Sequence, residues 1–135
     1  MNRSTRAKGP GLTKKVTKTT AKKVVGLTLA KKAYDVMLMD VRKITSMTDF
    51  FIVCSGTSET QVKAIADNVV EGCKKSGIIV NHVEGYESLR WVLIDLVEIV
   101  VHVFQPEVRA YYQLERLWGD ARTDRFGDDD EVAAR

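Results

Sequence analysis

A chain of 135 residues and 15.1 kDa has room for one domain of ordinary size and not for two. Apolar residues make up 44% of it, enough to build a core, yet no uninterrupted apolar run nears the ~20 residues of a membrane-spanning helix, so an integral membrane protein is not expected. The net charge of +3 hides a division: residues 1–34 hold ten of the 21 Lys and Arg and no acid, whereas residues 35–135 hold the other 11 and all 18 acids, a balance of −7.

The first 19 residues, MNRSTRAKGPGLTKKVTKT, are rich in Lys and Thr and poor in aliphatic side chains, which predicts a disordered basic arm. The arm has some features of an organellar transit peptide, although Lys outnumbers Arg and the apolar face is thin. A free cationic tether would instead hold the phosphates of a nucleic acid through counterion release. Residues 20–33 (TAKKVVGLTLAKKA) predict a helix weakened by Gly26, and YDVMLMDV at 34–41 predicts a strand. DFFIVC at 49–54 reads as a buried strand. Val62, Ile65, Ala66, Val69, Val70 and Cys73 then fall on one stripe of a helix, with Ser58 and Gln61 placed as a capping box and Gly77 placed to end it. Strands are expected at Ile78–Val83, Trp91–Leu96 and Ile99–Phe104, with a loop over Glu84–Ser88. Pro106 opens a last helix, PEVRAYYQLERLW, where its missing N–H costs nothing. Residues 121–135 carry Asp128, Asp129, Asp130 and Glu131 in a row and read as a disordered acidic tail. The order α β β α β β β α implies an α/β (α+β) fold, a mixed sheet of about five strands packed by helices.

The junction Cys54-Ser55-Gly56-Thr57-Ser58 leads from a strand into a helix whose first turn exposes amide donors, so an anion site and a plain cap are both open there, the cap favoured. The phosphate-loop pattern is incomplete: no second glycine precedes Lys and Ser or Thr, and Glu59 follows instead. Cys54 and Cys73 are too few for a disulfide framework or a four-ligand zinc site and read as buried thiols in a reducing compartment. No metal site is expected, because His82 and His102 lie twenty residues apart without neighbouring ligands at a suitable spacing. In the two late strands, alternation puts Val92, Ile94 and Leu96 with Ile99, Val101 and Val103 on a purely aliphatic face. Trp91, Asp95, His102 and Phe104 oppose it, on a face that is either a protein-binding patch or covered by a helix. Trp91 is expected to stand exposed, and His102 reads as a structural histidine before a catalytic base.

The blocks Thr48-Asp49-Phe50-Phe51-Ile52-Val53-Cys54-Ser55-Gly56-Thr57-Ser58 and Ala64-Ile65-Ala66-Asp67-Asn68-Val69-Val70 closely resemble the ribosomal silencing factor family, also called Iojap. The resemblance continues through His82-Val83-Glu84-Gly85, Arg90-Trp91-Val92-Leu93-Ile94-Asp95, Val100-Val101-His102-Val103-Phe104 and Tyr112 to Asp120, and covers a domain at residues 20–120. It implies a fold similar in outline to nucleotidyltransferases without their catalytic apparatus. The implied function is a cytoplasmic translation repressor, not an enzyme and without a cofactor, that binds the large ribosomal subunit through large-subunit protein fourteen and obstructs joining of the small subunit. An organellar location would follow if residues 1–19 were a transit peptide. Carried over by position, the partner-binding residues are Glu84, Gly85, Trp91, Asp95, His102, Phe104, Tyr112 and Trp118. A homodimer is compatible with the resemblance, and the sequence neither confirms nor denies it. The rival reading, a nucleotidyltransferase-like enzyme, lacks a paired carboxylate beside Asp95 to hold Mg²⁺. One departure is local: the family pattern places Gly-Asp where this chain has Val97-Glu98, so the turn is expected to lengthen or shift. Asp67-Asn68 also replaces a common Asp-His pair.

Overall fold

The structure, a computed structural model, describes residues 10–126, with side chains from residue 18 onward. Its elements are α1 (Pro10–Leu29), β1 (Tyr34–Asp40), β2 (Phe50–Ser55), α2 (Glu59–Lys75), β3 (His82–Glu84), β4 (Trp91–Asp95), β5 (Ile99–Phe104), α3 (Pro106–Tyr112), α4 (Leu114–Leu117) and β6 (Arg122–Phe126). The strands form one sheet in the order β3-β4-β5-β2-β1-β6. Neighbours are antiparallel except β2 and β5, which run parallel with Phe50 opposite Ile99 and Ser55 opposite Phe104. A parallel pair needs a long crossover, and α2 with the β3–β4 hairpin supplies it.

Helix α2 carries the strongest local code. Its N-cap Ser58 accepts the Gln61 N–H at 3.1 Å, and Gln61 Oε1 turns back to accept the Thr57 N–H at 2.6 Å and the Thr57 hydroxyl at 2.8 Å. At the other end Ile78 N–H reaches Cys73 O at 2.8 Å and Gly77 N–H reaches Lys74 O at 3.2 Å. Gly77 holds φ 78°, the left-handed position that this closure requires.

Alternation sorts the strands onto two faces. On one, Val36, Leu38, Phe50, Ile52, Cys54, Val92, Ile94, Ile99, Val101 and Val103 meet Ala21, Val24 and Val25 of α1 and the apolar stripe of α2. This is the main core and the largest source of hydrophobic stabilisation. On the other, Met37, Met39, Val41, Val53 and Phe104 form a smaller core against Val108 of α3, Leu114 of α4 and Trp118, with Phe51 and Trp91 at its margin. The second face is therefore covered at its Phe104 end, and Leu93, Asp95 and Val100 remain only partly buried at the other.

Four local expectations change. Residues 10–19, expected in a disordered arm, form the start of α1, which Pro10 can open without wasting a donor. The expected strand over Ile78–Val83 contracts to β3, because Ile78 is spent closing α2 and Ile79 is exposed. The last helix breaks at Gln113, whose φ of 49° separates α3 from α4. Residues 122–126, assigned to a disordered tail, form β6, a sixth strand on the edge of β1 with Asp40 opposite Arg122 and Val36 opposite Phe126. The charges of β6 suit an exposed sheet edge, where they discourage pairing with another chain. Residues 1–9 and 127–135, where the rest of the expected arm and tail fall, lie outside the described residues.

The β4–β5 turn stays tight despite Val97. Leu96 N–H bonds Ile99 O at 2.8 Å, and Glu98 N–H bonds Leu96 O at 3.0 Å across a single residue. Val97 accordingly sits at φ 76° in a γ-turn, a conformation that a β-branched residue adopts only under strain.

Candidate functional site

The uncovered end of the second face is concave. A cavity of about 640 Å³ opens between the loop carrying Thr45, Met47 and Thr48, the strand β3, the β4–β5 hairpin and Trp118. Its walls are Phe51, Leu93, Val97, Val100, His102 and Trp118, and among the described residues its charged lining is Glu84 and Asp95, with no Lys or Arg. His82 stands between the two acids, with Nε2 2.8 Å from Glu84 Oε2 and Nδ1 3.5 Å from Asp95 Oδ2. Asp95 also accepts the Asn81 side-chain amide at 3.2 Å and the Val97 N–H at 2.8 Å, and so ties the strained turn to β3. The Thr48 hydroxyl donates to Val97 O at 3.2 Å from the opposite rim. Met47 stands 87% exposed, an apolar side chain held in water at the mouth.

His102 forms the inner wall. It is 5% exposed, and its Nδ1 accepts the Trp91 indole N–H at 3.1 Å. An indole nitrogen can only donate, so the proton of the neutral ring is assigned to Nε2. Burial lowers the His102 pKa to about 4, leaving the ring neutral near pH 7. Phe51 meets the ring edge-on at 5.2 Å and in turn meets Trp118 at 5.2 Å. Nε2 is buried and has no hydrogen-bond partner among the described residues.

Of the residues expected at a binding surface, Glu84, Asp95, His102 and Trp118 line this cavity. Trp91 and Tyr112 adjoin it in a second depression of about 560 Å³ with Arg90 and Tyr111. Trp91 is half-buried rather than freely exposed: its ring packs 4.8 Å from Phe104 and 4.9 Å from Tyr112. Phe104 is fully buried beneath it. Gly85 shapes the β3–β4 connection, for at φ 80° a Cβ there would lie 2.1 Å from Trp91 O. Sequence reasoning missed Phe51, Met47, Val97 and Val100. Alternation from Val53 would have put Phe51 on this face, whereas nothing local marks the Met47 loop.

Arg109, also missed, fastens the cover over the other end. At 8% exposure it donates from Nη1 to Ser55 Oγ and to Asp35 O, both at 2.8 Å, and from Nε to Glu115 Oε2 at 3.1 Å. The strand-to-helix junction weighed as an anion site is a cap: Gln61 takes the Thr57 donors and gives its own amide to Lys31 O and Lys32 O. Burial pushes the Cys54 thiol up to about 12 and the Cys73 thiol up to about 11, which keeps both protonated and unreactive. Among the described residues no group of three or more His, Cys, Asp or Glu is arranged to hold a metal, and no helix is long and apolar enough to cross a membrane.

The family described as "Ribosomal silencing factor during starvation" matches residues 14–135. The ribosomal silencing factor RsfS of Halalkalibacterium halodurans is 50% identical over 93 residues, 69% of this chain and 80% of that protein. Its counterpart of the same name from Bacillus subtilis is 45% identical over 91 residues, 67% of this chain and 77% of that one. A crystal structure from Bacillus halodurans superposes with a TM-score of 0.72 at 41% identity, covering 81% of this chain and 99% of the other.

Proposed function

The chain belongs to the ribosomal silencing factor family, and from that premise we propose that it represses translation by binding the large ribosomal subunit through large-subunit protein fourteen and standing where the small subunit would join. Repression of this kind is steric and asks for shape and affinity, not catalysis. The observation that carries the reading is the cavity of about 640 Å³ on the uncovered end of the sheet, apolar in its walls, acidic in its charged lining and, among the described residues, without Lys or Arg. A concave apolar seat accepts protruding side chains, and an anionic rim speeds encounter with a basic ribosomal protein and fixes its orientation. In this reading Glu84, Asp95 and Trp118 meet the partner around the cavity, and Trp91 and Tyr112 extend the contact along the neighbouring aromatic depression. Gly85 and Phe104 hold that surface in shape, and His102 forms the inner wall of the cavity. The basic arm of residues 1–19 supplies a second, sequence-independent contact with ribosomal RNA. A homodimer through the same face would have to come apart on the ribosome.

The test is sedimentation of ribosomal subunits separated in low magnesium and returned to high magnesium with and without the protein. The expected result is a smaller fraction of whole ribosomes and protein travelling with the large subunit. Whole ribosomes forming to the same extent would overturn the proposal.

A further inference from the structure

The cavity wall contains a donor that finds no acceptor among the described residues. His102 Nδ1 is engaged by the Trp91 indole, which assigns the proton to Nε2, and Nε2 has no partner among the described residues although the side chain is 5% exposed. A buried N–H without an acceptor is a standing cost, and native proteins keep few of them. A second unfavourable feature lines the same cavity: Val97 is held at φ 76° by the Asp95 carboxylate on its N–H and the Thr48 hydroxyl on its carbonyl. Strain that the surroundings over-determine in this way gathers at binding sites.

We propose that His102 is the specificity residue of this face: the cavity seats a loop of a basic protein that places a main-chain carbonyl on His102 Nε2–H and a cationic side chain against Glu84 and Asp95. The inference rests on the large-subunit reading and adds the chemistry that is recognised. A neutral donor in an aromatic wall accepts an oxygen and refuses a cation or a second N–H, while the acids at the rim ask for a cation; an occupant must offer both at the right separation. A protein loop fits better than a small molecule because the apolar surface runs on from the cavity to the exposed Met47. Nε2 is closed to water in the free protein, so the acceptor arrives with side-chain adjustment of the aromatic wall, as interfaces commonly allow.

The experiment uses the full chain and purified large subunits of Bacillus subtilis in a pelleting assay. His102→Asn keeps an oxygen near the Nδ1 position for the Trp91 indole and removes the donor at Nε2, whereas His102→Gln restores an amide N–H near Nε2. About tenfold weaker binding is expected for His102→Asn, with at least half of the loss recovered in His102→Gln. Glu84→Gln should weaken binding about threefold at low salt and lose that difference at high salt. If the wild-type protein binds and His102→Asn binds equally well, the inference fails and the large-subunit reading stands. If the wild type does not bind, both fall. A long-range ¹H–¹⁵N spectrum of the free wild-type protein reads the tautomer without any substitution, and a proton found on Nδ1 would overturn the proposal even if the variants unfold.

Discussion

Trp91 is held on three sides, by Phe104 at 4.8 Å, Tyr112 at 4.9 Å and the hydrogen bond to His102. Its place opposite the aliphatic face suggests an exposed anchor, but α3 brings Tyr112 over it. Trp91→Ala should therefore cost about 3 kcal/mol of folding stability, a fall of roughly 10 °C in a thermal melt; an unchanged melt would mean that the indole contributes nothing to the fold. His102 makes stability depend on pH. Unfolded, it titrates near 6.5, and folded at about 4, so between these values the unfolded chain binds a proton that the native chain does not. The contribution is present above about pH 6.5 and is lost as pH falls to about 4, up to about 3 kcal/mol. Its ring contacts are Trp91, Phe51 and Phe104, none of them charged, and the titratable groups sharing its cavity are His82, Glu84 and Asp95. Urea titrations at pH 7 and pH 4.5 should show His102→Asn losing about 2 kcal/mol less than the wild type over that interval.

Among the elements, the β4–β5 turn and the α3–α4 cover respond in opposite directions to single changes. Val97→Gly relieves a left-handed backbone at the cost of a more flexible unfolded chain, and the net gain should be about 1 kcal/mol, seen as a higher urea midpoint at unchanged slope. Arg109→Met removes the bonds to Ser55, Asp35 and Glu115 and leaves a partly buried carboxylate alone. A loss of about 3 kcal/mol is expected, with amide exchange rising in α3 and α4 before the rest of the chain. Helix α2 was legible because its cap, stripe and closing glycine are all local. The break at Gln113 was not, because PEVRAYYQLERLW contains no breaker after Pro106; the kink appears where Arg109 is drawn down to β2 and back to Glu115. Strand β6 was equally hidden, since Arg122, Asp124 and Arg125 leave Phe126 as its one apolar side chain against the core, too little for a periodic signal.

Across the whole molecule, the basic arm of residues 1–19 and the acidic body divide the work of binding in the proposed function. Removing residues 1–9, which hold Arg3, Arg6 and Lys8, leaves every described core residue in place. Large-subunit affinity should then fall mainly at low salt, and the plot of log affinity against log salt should flatten by about 2. A truncated protein with the same salt slope would show that these charges touch no phosphate.

Strands β1, β2, β4 and β5, helix α2, the aliphatic face of the sheet and the family resemblance are all legible in the chain, because each is written in local periodicity or in contiguous blocks of residues. The sequence also groups Trp91, Asp95, His102 and Phe104 on one face, since alternation within a strand fixes which side a residue takes. Which part of that face is open follows from contacts between distant segments. The cover depends on Arg109 reaching from α3 to β2 and β1 across more than fifty positions of chain, and the cavity is assembled from four separate segments. The same holds for the proton on His102. It sits on Nε2 because the β4–β5 register pairs Leu93 with His102 and Trp91 with Phe104, which sets the indole diagonally across from the imidazole, a relation that no spacing along the chain encodes.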